Sequence, residues 1–250
     1  MNRWNAKIMV GDETVPLLLS HPEGAPWGAV LVYHGLYSNK EGNLKELESL
    51  AAAGALGIGV DAVGHGERAH PDLGRWIGEG DTHVNILQLV DRTAKEIPAL
   101  LDAILAERPE LKGRFGFCGI SLGGFVGFRA MVIEPRIRAM VSLLGSPDWS
   151  MHTRTTDDPQ ILALLAKSPM SHPEKFVGRP LLAINAGQDE NVDPAESRQF
   201  LERLRPLYGN NVERCAYQEY PDSGHFMREQ DWDDAWHRSV SWFRSYLSGG

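Results

Sequence analysis

Short, mostly apolar runs recur along the chain at residues 29–33 (AVLVY), 58–60, 115–118, 139–144 and 180–186. Runs of three to seven such residues without strict alternation predict strands covered on both faces, as in a parallel sheet. Between them lie stretches with helical spacing, at residues 41–53, 82–107, from Leu122 onward, 194–207 and 232–247. In the last of these, Trp236, Val240, Phe243 and Leu247 fall near one face, which predicts an amphipathic closing helix. Asp81 is placed to cap the long helix, and Pro98 inside it predicts a kink or a break into two. Residues 7–10 and 15–20 predict a hairpin around the turn Gly11-Asp12-Glu13, and residues 212–220 a last strand. Strands alternating with helices point to a mostly parallel α/β sheet, helices on both faces, and an antiparallel hairpin at the N-terminal edge. Residues 147–178 break the rhythm and are read as a small cap inserted over the sheet's end, within one domain spanning 1–250.

Composition narrows the function classes. Hydrophobic residues make up 42% and charged residues 23% of the 250, enough for a sizeable core. A net charge of −8 argues against nucleic acid or an anionic membrane as the main partner. No secretion signal opens the chain and no apolar run nears the ~18 residues of a membrane span, so a cytoplasmic location is expected. Cys118 and Cys215 each fall in a strand-like segment and are expected to be buried free thiols. No G-x-G-x-x-G follows the first strand, and His65 and His70 lack the carboxylates or cysteines of a metal site, so no cofactor or metal is expected.

The chemistry concentrates at Gly119-Ile120-Ser121-Leu122-Gly123, a G-x-S-x-G between a predicted strand and a predicted helix. A strand turning directly into a helix lifts the central hydroxyl above the sheet edge, near the helix's positive end. A serine hydroxyl is a weak nucleophile until a base takes its proton and a third group orients that base. Two later strand ends offer candidates: Asp189 in Ala186-Gly187-Gln188-Asp189-Glu190, and His225 in Ser223-Gly224-His225-Phe226. Their chain order, Ser121, Asp189, His225, is the one expected on an α/β-hydrolase sheet.

With these residues in place, the chain resembles the α/β-hydrolase superfamily, in the branch of dienelactone hydrolases, prolyl-oligopeptidase catalytic domains and small bacterial carboxylesterases. The residues carrying the resemblance are His34-Gly35, Asp61 with Gly64-His65-Gly66, the Ser121 elbow, the acid loop, and Ser223-Gly224-His225-Phe226. It implies an α/β-hydrolase fold and a serine hydrolase with Ser121 as nucleophile, His225 as base and Asp189 as orienter. The backbone N–H groups of Leu36 and Leu122 would hold the oxyanion, with Gly35 allowing close approach of the substrate. Counting back from Pro194 instead would make Glu190 the acid, so the loop register stays open. Asp61 and His65 are expected to hold the loop after the fourth strand without joining the chemistry. Tyr37, Trp149, Met151, Leu165 and Phe226 are the candidate pocket residues. The expected reaction is hydrolysis of small-molecule esters of short to medium acyl chains, falling off below about pH 6.5 as the base protonates. A lactone or thioester hydrolase, a peptidase, and a non-catalytic binding protein on the same fold are the alternatives.

Overall fold

The computed structural model describes residues 2–150 and 156–249. Its strands are β1 (Asn2–Val10), β2 (Glu13–His21), β3 (Ala29–Tyr33), β4 (Leu56–Val60), β5 (Phe115–Ile120), β6 (Ile137–Leu143), β7 (Leu181–Ala186) and β8 (Cys215–Tyr220). The helices are α1 (Leu44–Ala52), α2 (Leu73–Gly78), α3 (Thr82–Glu107), α4 (Leu122–Ile133), α5 (Pro159–Leu165), α6 (Pro194–Tyr208) and α7 (Glu229–Leu247). The strands form one sheet in the order β1-β2-β4-β3-β5-β6-β7-β8. β1 and β2 run antiparallel, β2 runs antiparallel to β4, and every later pairing is parallel. This is the α/β-hydrolase architecture, with its antiparallel N-terminal edge.

Every residue of β3, β4 and β7 is buried, which explains why those strands carry mostly apolar residues without alternation. One face of the sheet is covered by α3, α4 and α6 through Leu100, Val126 and Phe200. The other is covered by α1 and α7 through Leu47, Leu50, Trp236 and Phe243. Three of the four residues predicted to line one face of α7 are thus core material, while Val240 packs at its margin.

Three expectations change. Asp81 does cap α3, accepting from the His83 and Val84 N–H groups, but the helix is not divided at Pro98: it is one element from Thr82 to Glu107. The proline removes one backbone bond, and the cost is offset by Ile97, Leu100 and Leu101, all fully buried around it. A further helix, α2, occupies the stretch predicted as a long loop up to Gly80. Residues 212–214, predicted to begin the last strand, form a 3-10 turn ahead of β8.

Candidate active site

The site starts at the β5–α4 turn. Ser121 has φ 51° and ψ −112°, a conformation that costs a non-glycine residue about 1–3 kcal/mol. The surroundings impose it: the Ser121 N–H donates to the Leu143 carbonyl, and the Gly124 and Phe125 N–H groups donate back to the Ser121 carbonyl. Gly119 and Gly123 permit it, since a Cβ at the first would collide with the Gly123 carbonyl and at the second with the Tyr33 carbonyl. Gly35 is different. A Cβ there would meet only ordinary contacts, 3.7 Å from Ser121 Cβ, so its smallness matters toward the cavity rather than for packing.

Ser121 Oγ lies 3.0 Å from His225 Nε2, and His225 Nδ1 lies 2.8 Å from Asp189 Oδ2. A carboxylate on Nδ1 fixes the proton there, which leaves Nε2 as the acceptor for the serine hydroxyl. The Asp189 side chain is fully buried, and its Oδ1 accepts the Asn191 and Val192 N–H groups. Glu190 is exposed. The loop register left open by the sequence therefore brings Asp189, not Glu190, to the histidine. The two loops are tied to each other by the Gln188 N–H donating to the Ser223 carbonyl, and Ser223 Oγ donates to Asp231 at the start of α7.

Leu122 is the first residue of α4, so its N–H belongs to the first turn, whose donors have no partner within the helix. Leu36 lines the same cavity, in the loop after β3. Its neighbour Tyr37, held at φ 63°, donates its N–H to His65 Nε2 at 3.1 Å. The Tyr37 donor is thus occupied. His65 Nδ1 donates in turn to the Val63 carbonyl. His34 works in the same way, accepting the Ala62 N–H at Nε2 and donating from Nδ1 to the Gly35 carbonyl. Two neutral histidines therefore clamp the loop after β3 to the loop after β4.

Burial pushes the His34 imidazole down to about 4, against the smaller opposing effect of its bond to the Gly35 carbonyl. Burial lowers His65 as well. The unfolded chain therefore binds the His34 proton more tightly than the folded one between about pH 4 and 6.5. The stability His34 supplies is complete above pH 6.5 and lost as pH falls through that window, roughly 3 kcal/mol in all. Urea denaturation between pH 7 and 4.5 is expected to show that decline, and His34→Gln is expected to flatten it.

Asp61 supports the same loops from below. Its Oδ1 accepts the Lys40 N–H, and its Oδ2 accepts Lys40 Nζ at 3.0 Å and the Glu67 N–H. Lys40 Nζ also meets Glu67 at 2.8 Å and Glu41 at 2.9 Å. Burial alone would lower the Lys40 pKa, but the three carboxylates outweigh it and hold the ammonium well above its ordinary value. Nothing in the sequence marks Lys40 as buried.

A cavity of about 740 Å³ opens over Ser121, within the range of small-molecule sites. Of the candidate pocket residues, Tyr37 and Phe226 line it, 63% and 92% exposed. Trp149 and Leu165 do not line it. Trp149 is wholly buried in the core, where its carbonyl accepts His83 Nε2, and Leu165 packs against the same core. Met151 lies outside the described residues. The walls come instead from Ile86 and Leu87 of α3, Phe125 of α4, Leu144, Val192 and Trp232. Cys118 is no rival nucleophile: it is fully buried, and burial drives its thiol pKa far up. Among the described residues no group of three His, Cys, Asp or Glu side chains is arranged to hold a metal.

A family model described as the prolyl oligopeptidase family matches residues 74–250. The chain belongs to that family. Ser121, Asp189 and His225 all fall inside the matched stretch, whereas β1 to β4 and Leu36 precede it. Within the α/β-hydrolase superfamily that holds this family, the chain is 28% identical over 235 residues to a Bacillus subtilis protein described as "Putative esterase YitV", covering 87% of this chain and 89% of that one. The crystal structure of TT1662 from Thermus thermophilus superposes with a TM-score of 0.80 at 24% identity, covering all of both chains. The Pyrococcus furiosus esterase Pf2001 superposes with a TM-score of 0.71 at 17% identity, covering 98% of this chain and 93% of that one. At these identities the two structures establish the shared fold. The family membership makes this protein a hydrolase. Among the described residues no helix is long and apolar enough to cross a membrane.

Proposed function

We propose that this hydrolase is a serine carboxylesterase that cleaves small-molecule esters of short to medium acyl chains through an acyl-serine. The observation that carries the proposal is the unbroken relay from Ser121 Oγ through His225 to the buried Asp189, with links of 3.0 and 2.8 Å. His225 takes the hydroxyl proton as Oγ attacks the ester carbonyl, and Asp189 stabilises the imidazolium that forms. The oxyanion rests on the Leu36 and Leu122 N–H groups, each worth roughly 3 kcal/mol of transition-state stabilisation. His225 then hands its proton to the departing alcohol. Water, deprotonated by the same histidine, attacks the acyl-serine and restores the free hydroxyl.

The cavity's size and its apolar walls support a compact acyl group. Residues 1–250 are read as one hydrolase domain, with 147–178 as a small cap, of which residues 151–155 lie outside the described residues. Two buried free cysteines fit a reducing, cytoplasmic setting, and the net charge of −8 fits a small substrate better than nucleic acid. A fluorophosphonate probe is expected to label the parent protein. In a p-nitrophenyl ester series, kcat/KM is expected to peak between acetyl and octanoyl. A peak at palmitoyl would remove the short-to-medium assignment, and an unlabelled, inactive protein would remove the esterase.

A further inference from the structure

The cavity over Ser121 is mostly apolar, and its formal charge is one-sided. Among the described residues no Lys or Arg lines it, and Glu46 of α1 is the one Asp or Glu that does. Glu46 is only 7% exposed. A carboxylate so far out of water normally has a cationic partner. Glu46 has none: its Oε1 accepts the Trp232 indole N–H at 3.0 Å, and it forms no ion pair with any described residue.

The cations on neighbouring segments are engaged elsewhere. Lys45, the preceding residue, reaches out to Asp233 at the surface. Lys40 is held by Glu41, Asp61 and Glu67. Arg228, next to Met227 of the cavity wall, pairs with Asp231 and Asp222. Glu46 Oε2 takes no hydrogen bond from any described residue, yet it is not one of the sealed polar atoms of the interior, so it keeps open surface. The cavity that holds Ser121 is the space Glu46 borders. The carboxylate's charge also reaches β5: the Cys118 thiol, three residues ahead of the nucleophile, is pushed up by burial first and by Glu46 next.

Resting on the serine-esterase reading above, we propose that Glu46 selects esters that carry an ammonium group on one arm. A cation supplies the counter-charge that the fold withholds, and in a water-poor cavity that attraction is much stronger than at the surface. Trp232, Tyr37 and Phe226 line the same cavity, and aromatic rings attract ammonium groups through their faces. A hydroxyl or methyl in the same place would leave the carboxylate uncompensated, and an acidic arm would add a second negative charge with no Lys or Arg to offset it. The substrates are therefore cationic esters of compact size.

Two pairs of esters test this, each matched in shape and differing in charge. On the alcohol side the pair is butyrylcholine and 3,3-dimethylbutyl butyrate. On the acyl side it is the p-nitrophenyl esters of 4-(trimethylammonio)butanoate and 5,5-dimethylhexanoate. In at least one pair the parent is expected to favour the cationic ester in kcat/KM by at least about tenfold, the modest end of what a desolvated charge pair contributes. Glu46→Gln keeps an oxygen for the Trp232 indole and removes the charge, and is expected to bring that ratio close to unity. The ratio is read within one protein, so a partial loss of folded enzyme divides out. Fluorophosphonate labelling runs alongside each protein. Labelled parent with equal kcat/KM inside both pairs, or a Glu46→Gln protein that keeps the parent's ratio, would overturn the ammonium assignment and leave the esterase standing. An unlabelled parent, hydrolysing none of the four esters, would overturn the esterase reading and this inference with it.

Discussion

Ser121→Ala is expected to lower kcat for p-nitrophenyl butyrate by roughly 10⁴- to 10⁶-fold and to abolish fluorophosphonate labelling. The size follows from the cooperation of the relay. Without the hydroxyl, His225 has no nucleophile to deprotonate, and only the two proposed oxyanion donors and substrate binding remain to help water attack. The backbone need not change. Alanine keeps a Cβ, so the turn stays at the same costly φ of 51°, and the contacts that impose it are all main-chain. The melting temperature is therefore expected to stay within a few degrees of the parent, which separates loss of chemistry from loss of fold. A Ser121→Ala protein retaining a tenth of parental activity would place the nucleophile elsewhere.

The largest stability loss from a single surface-sized change is expected at Lys40→Met. The lysine and Asp61 side chains are both wholly buried, 3.0 Å apart, with Glu67 and Glu41 closing around the ammonium. Methionine fills most of the volume but leaves the Asp61 carboxylate buried without its own counter-ion, while Glu67 keeps only its half-exposed pair with Lys7. Breaking a buried pair from one side costs about 3–5 kcal/mol. For a chain of this size that corresponds to a fall of about 10 °C in melting temperature. Urea denaturation at pH 7 measures it, and an unchanged midpoint would show that the network contributes little. Activity is expected to fall as well, below the melting transition. Asp61 also accepts the Lys40 backbone N–H, and that strut fixes the end of the loop carrying Leu36 and Tyr37 beside Ser121.

The chain's one-dimensional pattern was enough to determine the strands that matter. Residues 29–33 and the run from 181 to 186 are buried at every position, so they are apolar throughout but for Asn185. The elbow is legible for a related reason: only a strand running straight into a helix demands glycine at 119 and 123 with a small polar residue between them. The order of Ser121, Asp189 and His225 at successive strand ends follows from the same topology. What lay beyond the sequence were properties made by residues far apart in it. Asp189 rather than Glu190 faces His225 because the acid loop and the loop after β8, 36 residues apart in the chain, fold against each other, with the Gln188 N–H donating to the Ser223 carbonyl. Pro98 stays inside α3 because tertiary burial outweighs one lost backbone bond. Lys40 is buried because Asp61 and Glu67, from the loop after β4, meet it together with its neighbour Glu41, and Trp149 is a core residue whose carbonyl is held by His83 of α3. Burial along a strand is a local property and is written locally; a cavity wall is a meeting of distant side chains, and only the folded chain decides which of them meet.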